Sequence, residues 1–370
     1  MTRKKLAAVL LLLLTALLVV TSCGSAAAPA PAPAPAQAPS PAQAPSPAQA
    51  PSPAPASAPT TKAEEVWLRV GGAGAGSSQD FLQTLTAQAI KRSNPDWNVQ
   101  VLSGPTTEAQ IGMMSRGEID IFSLGSVEIL DANTKGMSYG KPIPKVELSW
   151  IAPQGDKIAG LLLLEDVPIN SISELLQKKY PVKLGIGRPG TGPYYLLTLV
   201  LNAYGTSLEE MEGWGVKFVS GSTSNAAKNM RDGIVEGQMG VNAMPSGPFI
   251  EVAVSKKLKL FGVPEADVMA NLIKMGFGER TIPAGLYDFV TEDIPSANVP
   301  TMQIVLSDTP DDLAYNMAKG VWENREWMIA GSVVYEKVLT PEWIQFLAQT
   351  FSDSLHPGAR KYYVEQGIIK

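Results

Sequence analysis

Four short stretches of the chain combine glycine with small hydroxyl residues: Gly71 to Ser78, Ser103 to Thr107, Gly187 to Gly192 and Ser220 to Ser224. Loops of this composition are suited to holding a ligand rather than to covalent chemistry. Glycine lets the backbone approach a ligand closely and reach positive φ. Ser and Thr cap a following helix and offer hydroxyl donors. Where a helix begins, unpaired N–H groups and the helix dipole favour a carboxylate or another anion. Any one of these loops could be a tight turn with a helix cap, but four at equivalent places form a pattern.

That pattern comes from a unit that occurs twice. In the first copy, strand Val66 to Val70 leads through the Gly/Ser loop into a helix from Gln79 to Arg92, with Phe81, Leu82, Leu85, Ala89 and Ile90 as its apolar stripe. Strand Val99 to Leu102, the turn Ser103 to Thr107, a helix to Arg116 stopped by Gly117 and strand Ile119 to Ser123 follow. In the second copy, strand Val182 to Ile186 precedes the loop Gly187 to Gly192 and a helix from Pro193 to Tyr204. Strand Val216 to Val219, the turn Ser220 to Ser224, a helix to Asp232 and strand Gln238 to Asn242 complete it. Alternating strands and helices imply parallel strands wound by right-handed crossovers. Two such units predict two α/β lobes. Ligands of open α/β sheets sit beyond the carboxyl ends of the strands, where both copies place Gly, Ser and Thr. The expected architecture is two-lobed and periplasmic-binding-protein-like (type II), each lobe a mixed sheet flanked by helices, with the cleft between them. It requires the loops of the two halves to face one another.

Composition narrows the chemistry. The 370 residues are 45% hydrophobic and 18% charged, with net charge −5. Setting aside Arg3, Lys4 and Lys5, 27 basic and 35 acidic residues remain, a charge of −8. Nucleic acid is therefore not an expected partner, since phosphate binding needs clustered Lys and Arg. One cysteine and one histidine exclude a disulfide framework, a Cys-based zinc site and a multi-histidine metal site. No nucleophile with a nearby base is recognisable, so neither an enzyme nor a cofactor is expected. Gly185 to Gly190 fits G-x-G-x-x-G, but Pro189 alters the loop, and Glu209 and Glu210 lie past a helix stop rather than at a strand end. Gly71 to Ser78 lacks the Gly-Lys-Ser/Thr ending of a P-loop. His356 reads as a helix-end or surface residue.

The N-terminal segment is an address followed by a spacer. Arg3, Lys4 and Lys5 precede a predominantly apolar run of 15 residues, Leu6 to Val20, short for a membrane span of about 20 residues. It ends in Val20-Thr21-Ser22-Cys23-Gly24, which resembles a bacterial lipobox. The resemblance implies cleavage before Cys23 and lipidation of its thiol. Residues 29–59 are almost entirely Pro, Ala, Ser and Gln and hold 12 of the chain's 30 prolines. Such a segment is held near polyproline II, and at ~3.1 Å per residue it could reach on the order of 90 Å.

The folded part resembles the TAXI family of solute receptors, the substrate-binding subunits of one branch of TRAP transporters. The resemblance rests on the loop and helix at 71–92, Arg116-Gly117-Glu118-Ile119-Asp120 leading to Ser126, and Gly187 to Gly192. It extends to Ile282-Pro283-Ala284-Gly285-Leu286-Tyr287 and to the tail from His356 to Gly367. It implies a receptor that closes on a small organic acid or amino acid such as glutamate and hands it to a TRAP membrane permease. The same cleft would serve an ATP-driven importer or a ligand-sensing lipoprotein. Phe81, Pro105 and Gly125 depart from the family's usual Tyr, Gly and Gln, which bears on the ligand and not on the fold.

By position, lobe one offers Gly76, Ser77 and Ser78 as donors, Phe81 as an apolar wall, Thr106 and Thr107 at a helix start, and Ser123 and Ser126 at a strand end. Lobe two offers Gly190, Thr191 and Gly192, then Tyr194 and Tyr195, one facing the ligand and the other the core. Thr223 is expected to cap the next helix, and Asn242 and Met244 end the last strand. Arg188 is the nearest cation, able to meet a carboxylate or to stand in solvent. The expected division is a signal peptide at 1–22, lipidated Cys23 and linker at 23–62, lobe one at 63–162 plus 303–370, and lobe two at 163–302. The crossings are expected near Gly160 to Leu164 and Met302 to Leu306. The product is expected to be a lipid-anchored, extracytoplasmic monomer.

Overall fold

The computed structural model describes residues 65–73, 78–104, 106–138 and 142–370. The signal peptide, Cys23, the linker, Gly76, Ser77 and Pro105 lie outside the described residues. The described residues form one compact unit.

The first repeat folds as β1 (Trp67–Gly71), α1 (Ser78–Ser93), β2 (Asn98–Leu102), α2 (Thr107–Ser115), β3 (Phe122–Gly125) and α3 (Ser126–Thr134). β1 runs parallel to β2, and a parallel bridge from Val70 to Ile121 joins β1 to the approach of β3. β4 (Leu148–Leu164) then leaves the lobe as a single strand. The second repeat supplies β5 (Lys183–Ile186), α4 (Gly192–Ala203), β6 (Lys217–Ser220), α5 (Thr223–Arg231) and β7 (Gly237–Ala243). β5 is parallel to both β6 and β7. In each copy, then, the first strand is central, with the second on one side and the third on the other. β8 (Leu258–Phe261) and β9 (Gly278–Ile282) add antiparallel edges, and β10 (Ile294–Leu306) returns to lobe one. α6 (Asp311–Glu323) and α7 (Arg325–Gly331) follow it. Asn324 separates them, its Nδ2 bonding Ala89 O, Ser93 Oγ and Gly320 O. α6 packs closely on α1, where a Cβ on Gly320 would lie 2.7 Å from Ile90 Cα.

The two long strands organise the molecule. β4 pairs antiparallel with β10 from Leu148 to Ile158, and with β7 from Lys157 to Leu163. β10 pairs with β9 from Ile294 to Asn298, and with β3 from Thr301 to Ile304. The ladder is therefore continuous through both lobes. The hydrophobic patterning explains these lengths: Trp150, Ile151, Leu161, Leu163, Val299, Met302 and Ile304 are all buried, as expected of strands covered on both faces.

Candidate functional site

The carboxyl ends of the two third strands converge. β3 ends at Gly125, opposite Thr301, which itself lies opposite Gly155. β7 ends at Ala243, opposite Lys157. Both lobes thus aim their strand ends at residues 155–157 of β4. Asp156 sits at that junction, its side chain 11% exposed, accepting from Asn298 Nδ2 at 2.8 Å and 3.5 Å from Arg280 Nε. Burial pushes its carboxyl up to about 6, against the lowering effects of Asn298 and Arg280.

Beside this floor the loops of the two lobes meet directly. Glu108 N donates to Gly190 O at 3.2 Å, and Gly192 N donates to Thr107 Oγ1 at 3.0 Å. Gly190 holds φ +81°, which suits glycine, and its Cα faces Thr106. Ser126 Oγ donates to Gly276 O at 3.2 Å. Tyr195 OH donates to Asp131 on α3, which also pairs with Lys135 at 2.9 Å. Burial and the Asp131 carboxylate hold the Tyr195 phenol far above its ordinary range. Thr107, Ser126, Gly190, Gly192 and Tyr195 are thus gathered at one edge and bond across the lobes.

Among the described residues, the other expected ones form no side-chain hydrogen bond across the lobes. Phe81 is exposed at the start of α1. Thr106 is the N-cap of α2, its Oγ1 accepting from Ala109 N. Ser123 is buried and donates to Gln154 Oε1. Thr191 Oγ1 donates within its own loop to Arg188 O at 2.6 Å, and the Arg188 side chain is exposed. Tyr194 is half-buried against the core. The cap of α5 is Ser222, not Thr223, because the side chain of Ser222 accepts from Asn225 N. Thr223 Oγ1 instead donates to Asn242 Oδ1 at 3.1 Å. Met244 packs partly against the lobe-two core, with Cε near Gly160. His356 is a buried helix N-cap, accepting from Gly358 N and facing Thr309 O at 3.0 Å.

Position in the sequence did not reveal the buried glutamines. Gln79 Nε2 reaches Gln154 Oε1 at 3.1 Å, and Gln110 lies against Gly71 and Gly104 at the ends of β1 and β2. Nor did it reveal that the first repeat stations an acid in the first turn of each of its three helices: Asp80, Glu108 and Glu128. Glu128 Oε2 accepts from Gly125 N at 2.8 Å, so the chain's own carboxylate occupies that helix start. α4 and α5 in lobe two carry no acid there. The two cavities described, about 470 Å³ beside Arg280 and Ser296 and about 440 Å³ beside Lys91 and Trp327, are lined by none of these loops. Among the described residues, no group of His, Cys, Asp and Glu could hold a metal ion, and no helix is long and apolar enough to cross a membrane.

Two wound α/β lobes, joined by crossing strands and meeting at their strand ends, place the fold in the two-lobed periplasmic-binding-protein class. Residues 70–367 match the NMT1-like family, and the chain belongs to that family. The chain is similar to the periplasmic binding protein BugD, at 15% identity and TM-score 0.48 over 83% of this chain and 99% of that one. It is also similar to MatC from Rhodopseudomonas palustris with bound malate, at 11% identity and TM-score 0.49 over 80% and 100%. The GluR0 ligand-binding core in complex with L-glutamate matches at 12% identity and TM-score 0.42 over 75% and 100%.

Proposed function

We propose that this protein is an extracytoplasmic solute receptor of the TAXI branch of TRAP transporters, tethered through a lipidated Cys23. In this reading it captures a small organic acid or amino acid, glutamate-like in size, as a monomer and delivers it to the membrane permease. It performs no turnover. Lobe one is taken as 63–162 plus 303–370, lobe two as 163–302. The observation that carries the reading is the convergence of both third strands on residues 155–157, with the flanking loops already in contact across the lobes. The start of α5 near Thr223 carries no acid in its first turn and favours a carboxylate, whereas the start of α4 near Thr191 already faces Glu128 of lobe one. The Pro/Ala-rich segment supplies reach above a membrane.

Native mass spectrometry of the purified chain tests this: a stoichiometrically retained small metabolite is expected. A thermal-shift screen over dicarboxylates and amino acids should give hits, since ligand at a hundredfold excess over Kd adds about 2.7 kcal/mol. No retained solute and no hit would overturn the receptor reading. Co-purification with an ATP-binding importer instead of a TRAP permease would keep the cleft and reassign the partner.

A further inference from the structure

Gln154 is the odd residue of β4. Pairing with β10 steps from Gly155, opposite Thr301, to Pro153, opposite Met302, and leaves Gln154 out of the ladder. Such bulges re-aim a side chain and recur beside functional sites. The Gln154 side chain is 1% exposed. Its Oε1 accepts from both Ser123 Oγ and Gln79 Nε2. With Oε1 turned to both donors, the amide nitrogen points away from them. Nε2 is then left buried without a partner. Gln110 is also 1% exposed, and neither its Oε1 nor its Nε2 has a partner. Its amide fills the space where a Cβ on Gly71 or Gly104 would stand. Burying unpaired amide groups is costly, and native proteins seldom do it without a reason. Both glutamines stand at the strand ends of lobe one, where the ligand of an open α/β sheet sits.

Resting on the receptor reading, we infer that Gln110 and Gln154 receive an uncharged polar end of the solute, a hydroxyl or a primary amide, on lobe one. Gln110 offers both a donor and an acceptor. A carboxylate would satisfy Nε2 and leave Oε1 unpaired, whereas a hydroxyl or amide completes both. Asp80 is fixed on the same loops, with Oδ1 accepting from Ser103 Oγ at 2.8 Å, and its charge opposes a second carboxylate there. Calorimetric titration of the full chain with two matched pairs tests this: malate against succinate, and L-glutamine against L-glutamate. Preference for malate identifies the hydroxyl, and preference for glutamine the amide. Either should be about tenfold or more, the scale of one buried pairing. Gln110→Met should erase the preference and raise Tm, since it removes unpaired buried polar atoms; a merely structural amide would lower Tm. Gln154→Glu keeps an acceptor for Ser123 and Gln79 but removes the N–H, and should weaken binding about tenfold. Equal binding within each pair, or no binding of any of the four, overturns the assignment. Unchanged binding in both variants overturns it as well. A solute retained in native mass spectrometry would leave the receptor reading standing in each case.

Discussion

The two lobes present different chemistry at equivalent strand ends. Lobe one puts Asp80, Glu108 and Glu128 in the first turns of its helices and buries Gln110 and Gln154 beside them. Lobe two has no acid in the first turns of α4 or α5, and its Thr223 and Asn242 are hydrogen-bonded to each other. A duplicated topology therefore need not carry a duplicated site. The same strand–loop–helix unit can repel an anion in one copy and accept it in the other, according to one residue in a helical turn. A second contrast lies between the floor and the edge of the junction. At the edge, Thr107, Gly192 and Tyr195 bond across the lobes, whereas at the floor Gln154 and Asp156 retain an unpaired amide nitrogen and a raised carboxyl.

The sharpest way to break the contrast of floor and edge is to titrate Asp156. Burial raises its carboxyl from 3.8 to about 6, so the folded state holds that proton more tightly than the unfolded one. Its contribution to stability is fully present below about pH 4 and is lost as pH rises through 6. The difference amounts to about 3 kcal/mol at 1.36 kcal/mol per unit. Denaturant unfolding from pH 4 to 8 should show Asp156→Asn lacking that fall relative to wild type. Identical slopes would mean that Arg280, at 3.5 Å, keeps the carboxylate charged, and the floor would be an ion pair.

At the edge, Tyr195→Phe removes the phenol that bonds Asp131. Among the described residues, buried Asp131 then keeps the exposed Lys135 as its side-chain partner. A hydrogen bond to a charged group contributes about 2 kcal/mol, roughly thirtyfold in the ratio of joined to separated lobes. Spin-label distances between the lobes should lengthen in Tyr195→Phe, while the far-UV spectrum stays the same. A closed distance distribution in the variant would make that edge a passive contact.

These contrasts also show what was legible in the residues. The winding of both lobes followed from alternating strand and helix patterns, because apolar periodicity reports burial directly. The loops were found because glycine and hydroxyls mark strand ends in any α/β protein. The partner of each hydroxyl was not legible: Thr107 bonds lobe two, Thr191 bonds its own loop and Thr223 bonds Asn242. A hydroxyl serves as cap, lobe bridge or ligand donor with the same residue type. Gln154 gave no signal, since its role depends on a bulge that only pairing with β10 creates. The long reach of β4 was hidden for a related reason. Pro153, Gly155 and Asp156 are of residue types common in turns, yet they lie in the ladder where the strand changes lobes.

Thr191→Ala refines the lobe-two side. Its hydroxyl donates to Arg188 O at 2.6 Å, so its removal should cost about 1 kcal/mol of stability. Affinity should fall only through loosening of the loop that carries Gly190 and Gly192. An affinity loss larger than the stability loss would put Thr191 in contact with the solute.

Arg188→Ala is expected to have the smallest effect, and it separates two ways of holding an acid. The side chain is exposed and its carbonyl is the group used by Thr191. Surface substitutions of this kind stay within about 0.5 kcal/mol of wild-type stability. If lobe two holds a carboxylate through helix N–H groups, affinity should change by less than about threefold, because an exposed cation contributes little in water. The small change should also shrink with added salt, since charges separated by more than about 10 Å are screened at 0.1 M. A tenfold loss that persists in high salt would instead bring the guanidinium into the closed cleft. It would then supply lobe two with the positive charge otherwise left to its helix starts.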